Sequence, residues 1–194
     1  MEKIKLVLAT ANAGKIRELK EILKDFDVVG YKELGYDFDI NETGNSFYEN
    51  ALIKAAAVYK ATGLPVISDD SGLNVNALSG APGIYSARYS GGDDADNIAK
   101  LLNSLREKPD RTAKFTCCMV YYDGKRIITE SGTTDGEILY SPQGDGGFGY
   151  DPVFFSFDLK KSFGTATEEE KNSVSHRFRA AQKMAKRLKN LFTE

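Results

Sequence analysis

The opening of the chain constrains its fold most, because a strand, a glycine loop and a helix are predicted there in direct succession. Residues 3–10 carry the apolar run of a buried strand, and residues 11–14 break it. Ile16, Leu19 and Leu23 then recur at helical spacing on a segment rich in Lys and Glu. This order is typical of the start of an α/β unit, so we expect a mixed α/β fold with strands flanked by helices.

Length and charge limit the kinds of protein this chain can be. Its 194 residues predict one domain, 1–194. The 26 basic and 28 acidic residues leave a net charge of −2, so no global positive field exists to hold nucleic acid or an anionic membrane. Cys117 and Cys118 are adjacent in a strand-like run and should not bridge each other. With an N-terminal apolar run shorter than a signal peptide, we expect a cytoplasmic protein without nucleic-acid or membrane partners.

The middle of the chain predicts a helix followed by a strand. Ser46 and Glu49 have the spacing of a capping box, and apolar residues continue on one helical face up to Gly63. Residues 64–68, with Leu64, Val66 and Ile67, predict a short strand that ends in a polar turn at 69–72.

The other predicted elements follow from periodicity and turn residues. They are a strand near Val28 and Val29, a helix over 96–105, a long strand over 112–122, its hairpin return over 126–130, a strand over 152–155 and a last helix from Ser173.

The loop after the first strand is a candidate phosphate site. Backbone N–H groups at a helix start, with small polar side chains and a lysine, suit a phosphate group. The segment lacks the glycine spacing and Lys-Ser/Thr pair of a Walker loop, and an ordinary strand–helix turn is the alternative. Its residues are Thr10, Ala11, Asn12, Ala13, Gly14 and Lys15.

Carboxylates form a second candidate site. Glu42 precedes a Thr-Gly pair, and Asp69 and Asp70 follow the strand over 64–68. Carboxylates at strand ends of an α/β fold lie where ligands bind, and such oxygen ligands hold Mg²⁺ against substrate phosphates. The alternative is a plain Asp-Asp-Ser-Gly turn.

The glycine-rich segment over 144–152 is a third candidate. Its glycines match G-x-G-x-x-G by letter, but a dinucleotide fingerprint needs a following helix, and Pro152 with the apolar residues after it favours a strand. Phe148, Tyr150 and Asp151 are suited to stack on and hydrogen-bond a planar base. A turn with packed aromatic rings is the alternative.

The fourth candidate lies near the start of the last helix. His176, the only histidine, and Arg177 offer donors at the positive helix end, and Lys171 precedes them. They suit an anion or a carbonyl acceptor, whereas the alternative is a surface pair without a role. One histidine and two adjacent cysteines give no zinc ligand set, and no G-x-S-x-G elbow occurs.

Taken together, these motifs resemble the inosine/xanthosine triphosphate pyrophosphatase family, in family order and over nearly the whole chain. One departure is Ala11, where a glycine is common in the family. The matching segments are residues 8–15, Glu49-Asn50-Ala51 with Lys54-Ala55, residues 68–73, 81–89, 146–152 and Ser175-His176-Arg177.

The resemblance implies hydrolysis of ITP, dITP and XTP to the monophosphate and pyrophosphate, with Mg²⁺, by a homodimer. It also implies long central strands flanked by helices, and two lobes with the active-site cleft between them. By position, Glu42 and Asp70 would hold the metal and Asp70 would activate the attacking water, with Asp69 as the alternative base. The implied substrate-binding residues are the segment 10–15, Lys54, Ser71, Phe148, Gly149, Tyr150, Asp151, Lys171, His176 and Arg177.

Three rival functions remain open at the level of sequence. One is a nucleotide pyrophosphatase of other base specificity, similar to the septum-inhibitor family. Another is a nucleotide sensor without turnover, and the third is a structural interaction domain. A nucleotide panel separates the first, while pyrophosphate release separates the others.

Overall fold

The computed structural model describes residues 3–193, and the strands of this part of the chain form one seven-stranded sheet. The order in the sheet is β2-β1-β3-β4-β5-β6-β7. The mixed α/β prediction is therefore confirmed. The strands are β1 (Lys5–Leu8), β2 (Asp27–Gly30), β3 (Val66–Val75), β4 (Thr112–Tyr122), β5 (Ile127–Ile138), β6 (Phe154–Ser156) and β7 (Lys161–Ser162). The α-helices are α1 (Ala13–Ile22), α2 (Phe47–Thr62), α3 (Asp94–Ser104), α4 (Glu168–Val174) and α5 (His176–Thr193).

Strand β1 is buried on both faces, which explains its continuous apolar run. Leu6 and Leu8 belong to one apolar cluster, and Val7 and Ala9 belong to another. The strand is parallel to β2 and to β3, with Leu8 opposite Ile67. Because β1 and β3 are parallel and in this register, the carboxyl end of β1 lies beside Ile67, next to Asp69 and Asp70 of β3.

Helix caps fix where the first two helices begin. The Asn12 side chain accepts from the Lys15 N–H at the start of α1, and Ser46 does the same for the Glu49 N–H at the start of α2. The predicted capping box is only half formed, because the Glu49 carboxylate accepts from the Asn45 N–H. Gly63 ends α2 in the left-handed conformation, with φ of 68°.

The predicted turn at 69–72 is wrong, because β3 continues through it to Val75. Local propensity favours a turn for Asp-Asp-Ser-Gly. Here the Asp69 and Asp70 side chains are buried and compensated by lysine and arginine, which removes the cost of carboxylates inside a strand. The carboxylates therefore lie on a rigid strand.

Other boundaries also differ from prediction. Strand β5 runs on to Ile138, beyond its predicted end. Its buried positions alternate with exposed ones, but they hold small residues such as Gly132 and Thr134, so the apolar pattern of a strand is weak there. The segment Asp151–Val153 is a 3₁₀ turn that delays β6 to Phe154. Helix α3 begins at Asp94, two residues earlier than predicted, with Asp93 as its cap.

The predicted last helix is two helices, because Ser175 is extended between α4 and α5. The Thr134 hydroxyl donates to the Val174 carbonyl at 2.8 Å, a partner distant in sequence. This contact satisfies a carbonyl at the end of α4.

The chain divides into two compact units. The first unit comprises the described parts of Met1–Asp70, Cys117–Gly132 and Arg177–Glu194; its two apolar clusters include Leu6 and Val7. The second comprises Ser71–Thr116 and Thr133–His176, with a cluster around Phe154 and Phe163. Among residues 3–193, no helix combines the length and apolarity needed to cross a bilayer.

Candidate active site

The loop after β1 is organised by its own side chains. The Thr10 hydroxyl accepts from the Asn12 N–H at 3.2 Å, and the Asn12 side chain accepts from the Lys15 N–H at 3.1 Å. This cap places the start of α1 at the carboxyl end of β1, where the pairing of β1 with β3 also ends. The predicted phosphate segment thus lies at a helix N-terminus, with Lys15 in the first turn.

Asp69 is the centre of a buried charge cluster in the first unit. Its Oδ2 lies 2.9 Å from Lys15 Nζ and 3.2 Å from Arg177 Nε. Burial alone would raise the pKa of Asp69, but the Lys15, Arg177 and Lys54 cations outweigh burial and hold that pKa well below its ordinary value. Asp69 is therefore a permanent counter-charge and is unsuited to accept a proton.

Arg177 joins this cluster to helix α1. Its side chain is 1% exposed, and Nη1 donates to the Glu18 carboxylate. Burial would lower the pKa of Arg177, but Asp69 and Glu18 raise it, so the guanidinium stays charged. Two cations and two carboxylates, from Lys15, Arg177, Asp69 and Glu18, therefore balance each other inside the unit.

Asp70 lies in a different environment from its neighbour. Its Oδ2 accepts from Asn50 Nδ2 at 3.1 Å, and its Oδ1 lies 3.4 Å from Lys54 Nζ. Burial raises the pKa of Asp70; Lys54 and Lys15 lower it, Glu42 raises it, and the net shift is upward. A buried carboxylate with a raised pKa is the state expected of a general base, so Asp70 is better suited to that task than Asp69.

Glu42 and Asp70 converge on one ammonium group. Lys54 Nζ lies 3.1 Å from Glu42 Oε1, in addition to its contact with Asp70. Burial alone would lower the pKa of Lys54, but the carboxylates of Asp70, Asp69 and Glu42 raise it. Lys54 therefore carries a charge to which a substrate phosphate can bind, and a metal ion can supplement or replace that charge at the two carboxylates.

The carboxylate pair fits Mg²⁺. This ion binds through one or two carboxylates together with substrate phosphates and water. In the described residues no group of three or more His, Cys, Asp and Glu side chains is placed to hold a metal. Two carboxylates beside the candidate phosphate loop are oxygen donors of the type that Mg²⁺ prefers.

The second unit contains the residues predicted to contact the base. Asp151 Oδ2 accepts from Lys171 Nζ at 2.7 Å and from the Phe148 N–H at 2.9 Å. Lys171 Nζ also lies 4.4 Å from the centre of the Phe148 ring. Asp151 therefore holds the aromatic ring and the cation together in one cluster.

Other predicted residues of the second unit have structural partners. The Tyr150 hydroxyl donates to the Ser86 carbonyl at 2.9 Å, and the Gly149 N–H donates to Asp94 at 2.8 Å. The His176 ring stacks on Phe115, with ring centres 4.7 Å apart. Ser71 lies in β3, half-buried, in this unit.

Two residues of the first site were not assigned roles from sequence. Glu18 stands three residues after Lys15 on α1, but its partner in the structure is Arg177, 159 residues away, which no local spacing indicates. Asn50 stands four residues before Lys54 on α2. Nothing local to Asn50 indicates that its amide meets Asp70, which is 20 residues away.

Known proteins resemble this chain over nearly its whole length. It is 49% identical over 195 residues to the dITP/XTP pyrophosphatase of Escherichia coli O157:H7, covering 96% of this chain and 98% of the relative. It is 46% identical over 189 residues to the dITP/XTP pyrophosphatase of Bacillus subtilis, covering 94% and 96%. The solved structure of the Staphylococcus aureus Ham1 protein superposes with a TM-score of 0.87 at 43% identity, covering 96% and 98%.

A family model agrees with these individual matches. The Ham1 family model matches residues 6–187, which include the residues predicted for all four candidate sites. The resemblance inferred from sequence motifs is thereby confirmed. The chain belongs to the Ham1 family.

Proposed function

We propose that this protein hydrolyses ITP, dITP and XTP to the nucleoside monophosphate and pyrophosphate, and so removes deaminated purines from the nucleotide pool. The observation that carries the proposal is the convergence of Glu42 and Asp70 on Lys54 in the first unit. The dITP/XTP pyrophosphatases at 46–49% identity support the same reaction and substrate class.

The triphosphate is assigned to the loop after β1 and to nearby cations. A nucleoside triphosphate brings close to four negative charges, and lysines, backbone N–H groups and a metal can neutralise them locally. Lys15 and Lys54 are the cations of the first unit at this edge. The proposed phosphate-binding residues are Thr10, Ala11, Asn12, Ala13, Gly14, Lys15, Lys54 and Ser71.

Mg²⁺ is the proposed cofactor, held by Glu42 and Asp70. When bound, it would neutralise charge on the phosphate oxygens and favour release of pyrophosphate. The match between two carboxylates and a hard, oxygen-preferring ion supports this choice over zinc, which takes nitrogen and sulfur ligands.

Asp70 is the proposed general base. Its carboxylate takes a proton from a water molecule, whose oxygen attacks the α-phosphorus. The bond from that phosphorus to the bridging oxygen breaks, and pyrophosphate leaves with the bond electrons. The raised pKa of Asp70 supports this role, because a stronger base accepts the proton more readily.

The base is assigned to residues of the second unit, with Arg177. Hypoxanthine and xanthine present a 6-oxo acceptor where adenine presents an amino donor, so N–H donors at that position favour the keto bases. A buried N–H donor that faces the amino group of adenine has no acceptor, and leaving it unpaired costs about 1–3 kcal/mol. The proposed base-binding residues are Phe148, Gly149, Tyr150, Asp151, Lys171, His176 and Arg177.

The Asp151 cluster supports this assignment most directly, because it holds the Phe148 ring beside the Lys171 cation. Tyr150 and Arg177 already serve other partners, namely the Ser86 carbonyl and two carboxylates. For these two, the proposed contact with substrate would be additional to the contacts in the structure.

We further propose that the 194 residues act as one domain, that two copies form a homodimer, and that the protein works in the cytoplasm. The free thiols of Cys117 and Cys118 are compatible with a reducing compartment. Analytical ultracentrifugation of the full chain tests the dimer: a sedimenting mass of one chain contradicts it.

Product analysis tests the reaction. Purified protein is incubated with ITP, XTP, GTP and ATP, with Mg²⁺ or with EDTA, and pyrophosphate and orthophosphate are measured separately. We expect pyrophosphate from ITP and XTP and none after chelation. Orthophosphate would indicate attack at the γ-phosphorus, and binding without release of either product would identify a nucleotide sensor.

A further inference from the structure

We propose that Asn50 is a positioning residue that sets the Asp70 carboxylate relative to the segment carrying Glu42. The proposal rests on the function proposed above and adds a residue that acts through the base and metal ligands. The observation behind it is that one buried amide contacts both Asp70 and the segment that carries Glu42.

The Asn50 amide has a defined orientation. Its Oδ1 accepts from the Gly44 N–H at 2.9 Å, and its Nδ2 donates to Asp70 Oδ2 at 3.1 Å. A backbone N–H can only donate, so the oxygen of the amide must face Gly44. The NH₂ group therefore faces Asp70, whose Oδ2 must present a lone pair to it.

The Glu42 segment is held closely against the start of α2. Besides the Gly44 contact, the Asn45 N–H donates to Glu49 Oε2 at 2.6 Å. A Cβ atom on Gly44 would lie 2.6 Å from Glu49 Cβ and 2.8 Å from Asn50 Oδ1. Glycine is needed at 44 because the backbone approaches the helix too closely for a side chain.

Asn50 and Lys54 hold the two oxygens of Asp70 from one face of α2. They are four residues apart, so both side chains project from the same side of the helix. Lys54 contacts Oδ1 as a cation and also contacts Glu42. Asn50 contacts Oδ2 as a neutral donor, and it is 0% exposed.

The difference in charge separates the tasks of these two residues. Lys54 is available to a triphosphate because a phosphate oxygen competes with carboxylates for its ammonium group. Asn50 carries no charge for phosphate to attract, so its contact with Asp70 persists while substrate binds. The amide therefore keeps the base oriented when the lysine changes partner.

Four variants test the proposal in the full-length protein. Asn50→Ala removes both contacts, Asn50→Asp keeps the shape but faces Asp70 with a second carboxylate, and Gly44→Ala displaces the segment without changing Asn50. Asn97→Ala is the matched control: Asn97 is 2% exposed, and its side chain accepts from the Ser90 N–H and donates to the Ala87 carbonyl.

Four quantities are measured for each variant: kcat and KM for ITP, the melting temperature, and the affinity for Mn²⁺ without nucleotide, by electron paramagnetic resonance of the free ion. We expect the three site variants to lose about 10- to 100-fold in kcat, and we expect Asn50→Ala and Gly44→Ala also to bind Mn²⁺ more weakly, as when partners of metal ligands are removed. KM should change by less than about threefold, because the phosphate-binding loop is untouched. Asn97→Ala should lower the melting temperature alone.

The outcomes distinguish this proposal from the proposed function. If the wild-type protein releases no pyrophosphate, the proposed function fails, whereas unchanged Mn²⁺ affinity in folded Asn50→Ala or Gly44→Ala overturns the positioning role. Wild-type kcat in folded Asn50→Asp or Gly44→Ala also overturns it, even if Asn50→Ala does not fold. A loss of kcat in Asn97→Ala equal to that of Asn50→Ala would attribute the effect to stability and contradict the proposal.

Discussion

Lys15 and Asp69 form an ion pair in which Nζ lies 2.9 Å from Oδ2, and the carboxylate side of the pair is entirely buried. The same oxygen also accepts a hydrogen bond from Arg177 Nε, so two cations share the Asp69 carboxylate. The neighbouring Asp70 faces an amide and a lysine that it shares with Glu42. The pKa values of these adjacent aspartates are thus shifted in opposite directions, and we expect the two residues to have different tasks.

Asp69→Asn should destabilise the protein at neutral pH, because Lys15 and Arg177 lose a common counter-charge. The pKa of Asp69 is lower in the folded state than in the unfolded state, so its stabilising contribution is present above about pH 4 and is lost as pH falls toward the folded pKa. We expect a loss of about 3–5 kcal/mol at pH 7.

Urea unfolding of wild type and Asp69→Asn at pH 7, 4 and 3 measures this contribution. The difference in free energy of unfolding should shrink below about pH 4, as the wild-type carboxyl takes up its proton in the unfolded state. A difference independent of pH would contradict the assignment of the charge to Asp69.

Asp70→Asn should abolish activity and stabilise the fold. The pKa of Asp70 is raised by folding, so its contribution to stability is greatest below the unfolded pKa and is lost as pH rises through the folded pKa. At pH 7 the ionised carboxylate therefore opposes folding. Asparagine removes this penalty, and Glu42 still faces Lys54.

For Asp70→Asn, kcat for ITP should fall about 10²- to 10⁴-fold. The free energy of unfolding should rise by about 1 kcal/mol, or about 2–4 °C in Tm. Normal turnover would exclude Asp70 as the base. A fall in stability would show that the contact with Lys54 outweighs the burial of the charge.

Glu18→Gln should destabilise the first unit through Arg177. The substitution removes one of two carboxylates that face the buried guanidinium. We expect a loss of about 2 kcal/mol, below the roughly 3–5 kcal/mol of an isolated buried charge, because Asp69 remains. Glu21→Gln, an exposed position on the same helix, is the control and should change stability by less than about 0.5 kcal/mol. Equal effects of the two substitutions would refute the role of the buried pair.

His176→Ala should reduce discrimination between ITP and ATP. Its ring stacks on Phe115, and this contact would fix the position from which His176 offers the proposed N–H donor to a 6-oxo group. Loss of one such donor should lower the ratio of kcat/KM for ITP to kcat/KM for ATP about 10-fold, which is the effect expected from one selective hydrogen bond. An unchanged ratio for the two nucleotides would remove His176 from base reading.

Both cysteines should be unreactive in the folded protein. Burial raises the pKa of the Cys118 thiol to about 11 and also raises the pKa of Cys117, whose neighbour Asp69 opposes thiolate formation further. Ellman's reagent at pH 8 should therefore react slowly with native protein and with two thiols per chain after denaturation. A rapid reaction of one thiol in the native state would contradict the burial of that side chain.

Periodicity and turn chemistry were sufficient to predict the mixed α/β fold and the first strand, loop and helix. The apolar run from Ile4 to Ala9 and the stripe of Ile16, Leu19 and Leu23 are local signals, and both are present in the structure. The family was predicted from the order of several short motifs along the chain, and the Ham1 family match confirms that prediction.

Tertiary structure decided the features that depend on partners distant in the chain. Asp69-Asp70 has the composition of a turn, but cations from α1, α2 and α5 compensate its charges and allow β3 to continue. The end of α4 likewise depends on Thr134, 40 residues from Val174. Local propensity contains no information about such contacts.

The sequence by itself determined which residue types could perform the chemistry, since carboxylates, lysines and a capped loop follow predicted strands. Only the tertiary structure decided which aspartate is a buried counter-charge and which is the raised-pKa candidate base. The physical reason is that a pKa depends on desolvation and on charges within a few ångströms, which chain folding brings together from Lys15, Lys54 and Arg177.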